Sequence, residues 1–361
     1  MDAATDARKI NVSANRYLPS PLACERLDQL VARHGGTVIS CRGETRVDYA
    51  LPVQAAAEVR DFLAPETSAT FEPASIAQLP GGRVFGSGNV LSPDGRVIAR
   101  DVSPDLGKAF ADHWLLTFKK ITPPVPLSGT TAVIAVPLGA GYGHWLLDEL
   151  PRLLALEINS AATIIAQAAR AYHREVFTLH GFTGKVLPAK RLAHFACEQL
   201  IVPSLGQLTP ITVRILDEFT APLRDPSVLL GERLYVSRDK ARRRRVANEP
   251  ELWAQLAARG FVKVHLEELT WRQQINAFRC AKIIVAPHGA GLANLVFCQA
   301  GTKVIELFHR SYVNGCYWQL AALKALDYRP VVSPGSVPLT QTLSENRADI
   351  EADVTQVLRA L

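Results

Sequence analysis

Four apolar runs recur at intervals of 20 to 30 residues in the second half of the chain: RLYVS (233–237), FVKVHL (261–266), KIIVAP (282–287) and KVIELF (303–308). Helical patterns lie between them, ELWAQLAARG, TWRQQINAFRC and LANLVF, and YWQLAALKAL follows the last. Runs with little polar alternation suit strands buried on both faces, and an intervening helix is what joins parallel neighbours. The pattern predicts a doubly wound parallel sheet, with its ligand site at the carboxyl ends of the strands.

The preceding half is less regular. Residues 22–33 (LACERLDQLVAR) are expected to form a short helix with Leu27, Leu30 and Val31 on one face, followed by strand-like TVISC and helical AAAEVRDFLAPE. Residues 82–102 are expected to form a β-hairpin around Ser92-Pro93-Asp94-Gly95. TAVIAV (131–136) is a buried strand, and the glycine turn 139–143 leads into a helical pattern from His144 to Glu157. Segment 209–231, with Pro210, Pro222 and Pro226, is expected to connect two domains. The last stretch is an amphipathic helix with Ile350, Val354, Val357 and Leu361 on one stripe, N-capped by Ser344. At 361 residues the chain has room for two domains, each with its own core and no need of a disulfide.

Forty Lys and Arg against 34 Asp and Glu leave a net charge of +6, which favours anionic partners. The excess is densest from Arg238 to Arg245. That loop has no interleaved aromatics and no reading helix, so nucleic acid is not the expected partner. Six scattered cysteines without a CxxC pair suit reduced thiols. The N-terminus lacks the apolar region of a secretory signal, and no apolar stretch is long enough to span a bilayer. The expected location is cytoplasmic, with at most peripheral contact at the inner membrane.

Three runs could carry chemistry. Ala286-Pro-His288-Gly-Ala-Gly291-Leu-Ala-Asn294 follows a strand and opens a helix, so its glycines and free N–H groups suit a phosphate. Tyr235-Val-Ser237-Arg238, with the basic loop to Arg245 and then Asn248, would face the same crevice, and arginine forks match a diphosphate. Arg238 and Arg245 are assigned to the site, whereas Arg242 to Arg244 fit either the site or a solvated face. In Gly143-His144-Trp-Leu-Leu-Asp148-Glu149-Leu-Pro151-Arg152, His144 and Asp148 share a helix face, and such a pair can take a proton from a hydroxyl. Glu306, near the end of its strand, is placed to accept from ribose hydroxyls or to pair with Arg310. No Asp-x-Asp metal box, Walker motif or G-x-S-x-G elbow is present.

Together, GHWLLDELPRL, YVSRDKARRRRVANE and APHGAGLANLVF with KVIELF resemble the family 61 glycosyltransferases of bacterial polysaccharide type, over residues 143 to 308. The resemblance implies a GT-B-like α/β fold of two Rossmann-like domains facing across a cleft. It also implies inverting, metal-independent transfer from a nucleotide-sugar donor, a uridine diphosphate sugar first, to a glycan or lipid-linked glycan. No cofactor is expected. Residues 1–205 would form the acceptor-side domain, 206–340 the donor domain, and 341–361 a helix crossing back onto the first. Carried over, His288, Gly289, Ala290, Gly291, Leu292 and Asn294 form the donor loop. Arg238, Arg245 and Asn248 flank it, Glu306 takes the ribose, and the base is Asp148, His144 charged by Asp148, or Glu149. The alternatives are a sugar-nucleotide epimerase or hydrolase on the same fold and a non-catalytic subunit of a polysaccharide-assembly complex.

Overall fold

The computed structural model describes residues 17–361 except 106, 158, 159, 205, 207, 224–229 and 343–346. The regular half folds as its spacing predicts. Strands β5 (Arg233–Val236), β6 (Val262–Val264), β7 (Ile283–Pro287), β8 (Lys303–Phe308) and β9 (Asp327–Val332) form a wholly parallel sheet in the order β6-β5-β7-β8-β9. Alternate side chains serve opposite faces, as the pleat requires. Leu234, Val236, Ile284, Ala286, Val304 and Phe308 enter one core, and Tyr235, Val285, Ile305 and Leu307 enter another. The helix Glu249–Ala257 covers the second face with Leu252 and Leu256, while Trp271–Cys280 covers the first with Trp271, Ile275 and Phe278. The strand order reverses between β5 and β7, which is where such sheets open a crevice.

The first half contains a ten-stranded sheet. Within it β1 (Val125–Val133), β2 (Thr163–Ala166), β3 (Lys185–Pro188) and β4 (His194–Pro203) run parallel in the order β3-β2-β1-β4, so the order reverses again between β1 and β4. Beyond β4 the sheet turns antiparallel through Ala74–Pro80 and Arg83–Phe85. One apolar core continues from Ile134 and Trp145 on this side to Val304 and Trp318 on the other, so the two sheets share a packed seam. Arg310 to Glu58 (2.6 Å), Arg272 to Glu175 (2.5 Å) and the Trp318 indole N–H donating to Ala50 (2.9 Å) also cross between the two halves.

Several local expectations change. In 22–33 the helix occupies only Leu27–Arg33, because Ala23–Glu25 pairs as a strand with Val97–Ala99 and Asp101 accepts from the Leu27 N–H (2.8 Å). The hairpin at 82–102 is the second half of a meander, Arg83–Phe85, Asn89–Leu91 and Val97–Ala99. Segment 209–231 is not an open connector. Thr209 caps a helix, Pro210–Thr220, in which Pro210 takes the first position, where a missing N–H costs nothing; Pro226 lies outside the described residues.

The C-terminal helix does not cross back onto the first sheet. It spans only Val354–Ala360 and packs Val357 beside Val285 and Ile305 on the second sheet. Ile350 is drawn into a parallel bridge with Val246, and Arg329 donates to the Ala360 carbonyl (2.9 Å), so backbone pairing holds the tail where it emerges. Ser344 lies outside the described residues. No helix among the described residues is long and apolar enough to cross a membrane.

Candidate active site

The crevice at the β5/β7 reversal holds a pocket of about 100 Å³ lined by Ser237, Arg238, Pro287, Gly289, Gly291 and Glu267, among others. A Cβ on Gly289 would lie 2.3 Å from the Arg238 guanidinium, so the missing side chain is what lets that cation lie flat against the turn. Burial and the neighbouring Arg244 push the Arg238 guanidinium down to about 10, so it stays charged at neutral pH. Arg244 reaches the crevice from another direction. Its backbone sits in the left-handed region (φ +54°), its guanidinium lies 5.6 Å over the Tyr312 ring, and burial lowers its pKa. The Nε of both arginines is buried with no hydrogen-bond partner among the described residues, and neither makes a carboxylate pair there.

Two other cations of the basic loop are committed elsewhere. Lys240 pairs with Glu268, and Arg245 is clamped by Asp349 through its N–H (2.9 Å) and guanidinium (2.8 Å).

Facing the glycine turn is the helical run Tyr142–Leu154. Its middle, Trp145–Glu149, is π-helical, an uncommon turn that re-aims side chains. Trp145, Leu146, Glu149 and Arg152 point inward, whereas His144 and Asp148 stay partly exposed and bond to each other, Nδ1 to Oδ2, at 2.8 Å. That bond and the Asp148 charge hold the His144 imidazole above its ordinary pKa. Glu149 accepts from the Gln167 N–H (2.7 Å) and the Val136 N–H, and burial raises its carboxyl to about 7. Arg152 donates to the carbonyls of Ile134, Ala135 and Pro203, tying β1 to β4 at their carboxyl ends. Gly143 lies beside Ala290 (3.8 Å from its ideal Cβ), so the pair and the glycine turn border one crevice.

Residues 142–305, from the first residue of this helix to the middle of β8, match the family model described as Glycosyltransferase 61. This stretch, a little under half of the chain, is similar to the family 61 glycosyltransferases. It is 36% identical over 98 residues to the EGF domain-specific O-linked N-acetylglucosamine transferase of Drosophila melanogaster, covering 26% of this chain and 18% of that protein. It is 31% identical over 68 residues to the beta-1,2-xylosyltransferase RCN11 of Oryza sativa subsp. japonica, covering 19% of this chain and 13% of that one. The chain therefore spans less than a fifth of the length of either curated relative.

Within the matched residues and the strand end beyond them, several expected site residues are occupied structurally. Glu306 does not face a ribose: it is fully buried, bonded through one oxygen to His288 Nδ1 (2.6 Å) and through the other to the Tyr328 hydroxyl (2.5 Å). Nor does it pair with Arg310, which Glu58 takes. Arg245 is turned away by Asp349. Asn248 stands just before a helix without capping it through its side chain, which exchanges two 2.9 Å hydrogen bonds with the backbone of Ala352 and so fastens the C-terminal segment. Asn294 is buried, accepting from the Tyr142 hydroxyl and donating to Gln274 (3.0 Å), which makes it a bolt across the seam.

Gly289, Gly291 and Leu292 do line the crevice, with Ala290 exposed beside them, whereas the His288 side chain is buried against Glu306 and does not line it. Sequence reasoning passed over Glu267, although an acidic residue just after the second strand of a doubly wound sheet is a signal for ribose recognition. Arg244 had no local signal, because its placement depends on Tyr312. Among the described residues no group of three or more His, Cys, Asp or Glu is arranged to hold a metal ion.

Proposed function

We propose that this chain is an inverting, metal-independent glycosyltransferase that moves a sugar from a nucleoside diphosphate donor, a uridine diphosphate sugar first, to a hydroxyl of a glycan in cell-surface polysaccharide assembly. The fold proposed for it is GT-B-like. One observation carries the proposal: two half-buried guanidinium groups, without carboxylate partners among the described residues, flank a glycine turn that borders the same crevice as an exposed histidine–aspartate pair.

Arg238, Arg244 and the backbone of Gly289 to Gly291 receive the diphosphate, and Glu267 accepts from the ribose. The Nδ1 proton of His144 is donated to Asp148, which leaves Nε2 as the base. As the acceptor oxygen attacks the anomeric carbon, its proton passes to Nε2 and the diphosphate departs from the opposite face. Negative charge then grows on the leaving oxygens, where preset cations and N–H groups lower the barrier most.

The test is a thermal-shift panel of nucleoside diphosphates and nucleotide sugars, with magnesium and with chelator. Stabilisation by one nucleoside diphosphate that persists in chelator is the expected result, and none by any of them removes the donor site. Product analysis after incubation with donor alone separates transfer from epimerisation or hydrolysis.

A further inference from the structure

A second cavity, of about 270 Å³, opens at the carboxyl end of β4. Its walls are largely apolar, with Ile76 from the strand next to β4, Pro203 from β4 itself, Ile211 and Ile215 from one helix, and Pro151 and Ala155 from the run that carries the histidine–aspartate pair. Arg42 also lines it, held by a 3.1 Å hydrogen bond to the Thr209 hydroxyl.

Its place relative to His144 is what gives it meaning. His144, Asp148, Pro151 and Ala155 are all at least partly exposed, so they lie on the outer side of the run and of the residue that ends it. Seven residues of helix advance about 10 Å, so the cavity begins roughly one or two sugar rings from the proposed base. Gly206 closes the gap between them: it lines the cavity, and a Cβ on it would lie 2.5 Å from the Asp148 carbonyl. The cavity is thus bordered by the same helical run that carries the proposed base. It is slightly below the size of a full ligand pocket, about 300 Å³ and upward, so it suits one apolar group and not a whole substrate.

We infer that this cavity binds the apolar aglycone of an amphiphilic acceptor, a short isoprenoid-like or alkyl group joined to its sugar through an anionic phosphate that Arg42 receives. The inference rests on the placement of the base at His144. A purely polar oligosaccharide would leave Ile76, Ile211 and Ile215 facing water or sugar hydroxyls at a cost, whereas an apolar chain is favoured there in proportion to the area it buries. A cation at the edge of an apolar cavity matches the junction between a hydrocarbon and a phosphate.

Calorimetry on the full chain tests this with geranyl phosphate, geraniol and inorganic phosphate as probes and uridine diphosphate as a separate reporter. Geranyl phosphate should bind saturably to the unaltered protein and more tightly than either fragment. Ile211→Trp, which fills the cavity from its exposed rim, should abolish that binding. Arg42→Ala should weaken it roughly tenfold or more.

Both variants should bind uridine diphosphate as the unaltered chain does, which shows that they are folded. Absence of saturable binding, or binding unchanged by Ile211→Trp, overturns the cavity assignment. Equal affinity for geraniol and geranyl phosphate, with no effect of Arg42→Ala, overturns the phosphate. Loss of uridine diphosphate binding by the unaltered protein would instead strike the donor site and leave this result to stand on its own.

Discussion

Replacing Gly289 with alanine isolates what Arg238 contributes. The backbone there is extended, with φ 170° and ψ 170°, so alanine adopts it without strain. Its new Cβ would sit 2.3 Å from one guanidinium nitrogen of Arg238 and 2.9 Å from the central carbon, far inside contact distance. A long side chain yields more readily than a packed turn, so the guanidinium swings out and the fold survives. The phosphate then loses a charge-assisted hydrogen bond, worth about 1.5–3 kcal/mol net, or a roughly 10- to 150-fold rise in the Kd for uridine diphosphate. Because the loss runs through Arg238, Arg238→Ala should cause a comparable loss, and adding Gly289→Ala to it should cost almost nothing more. Calorimetric titration of the two single variants and the double variant reads this directly. A Gly289→Ala protein that binds within twofold of the unaltered chain refutes the steric route, and effects that multiply in the double variant refute the shared mechanism.

A base must be unprotonated, so kcat/KM should fall as pH drops through the raised pKa of His144. Asp148→Asn removes the cause of that elevation and should lower turnover while moving the acid limb to lower pH; an unmoved limb would exclude His144 as the base. Arg244→Ala should weaken uridine diphosphate binding by about tenfold or more, whereas Arg245→Ala should leave the Kd unchanged because Asp349 already holds that side chain. Preference for uridine diphosphate over its 2′-deoxy analogue should vanish in Glu267→Gln and persist in Glu306→Gln, whose cost, about 1–3 kcal/mol, falls on stability in urea titration. Burial raises the Glu149 carboxyl to about 7 in the folded protein, against about 4.5 for an ordinary glutamate in water, so its protonation favours the fold. That contribution is complete below about pH 4.5 and declines by about 3 kcal/mol as pH rises through 7. Denaturant titrations from pH 5 to 8 should show this slope in the unaltered protein and lose it in Glu149→Gln.

The second half was legible because burial on both faces of a parallel sheet writes itself into local apolar runs. Tyr235 and Val285 lie on the face opposite Leu234 and Ile284, and no register alternative would bury both sets. The glycine turn was legible for a similar reason, since Gly289 and Gly291 border a close approach that any side chain would obstruct. What the residues did not reveal was the direction in which polar side chains turn, because that is decided by partners distant in sequence. Glu306 looks like a ribose ligand until Tyr328 and His288 take both of its oxygens. Arg245 and Arg244 are neighbours in an unbroken run of arginines, yet Asp349 draws one outward and Tyr312 holds the other inward. The tail helix misled for the same reason: its stripe specified an apolar surface to meet, and two sheets offered one.

The charges left at the crevice are costly where they stand. Burial lowers the pKa of both Arg238 and Arg244, with Arg244 adding to the effect on Arg238 and Arg243 to that on Arg244; each has a buried nitrogen without a partner among the described residues, and Arg244 occupies a left-handed conformation that L side chains rarely adopt. Strain and repulsion of this kind persist only where packing elsewhere outweighs them, here the shared seam through Trp145, Trp271 and Trp318. A carboxylate beside either arginine would relieve the repulsion, but it would also compete with the ligand for the same hydrogen bonds. On the proposed mechanism a diphosphate supplies the missing negative charge, and more of it develops as the bond to the sugar breaks. The relief is then greatest in the transition state, where a preset field accelerates transfer. An acidic side chain introduced at Ala241, which lines the same pocket, should therefore stabilise the unliganded protein and slow turnover together.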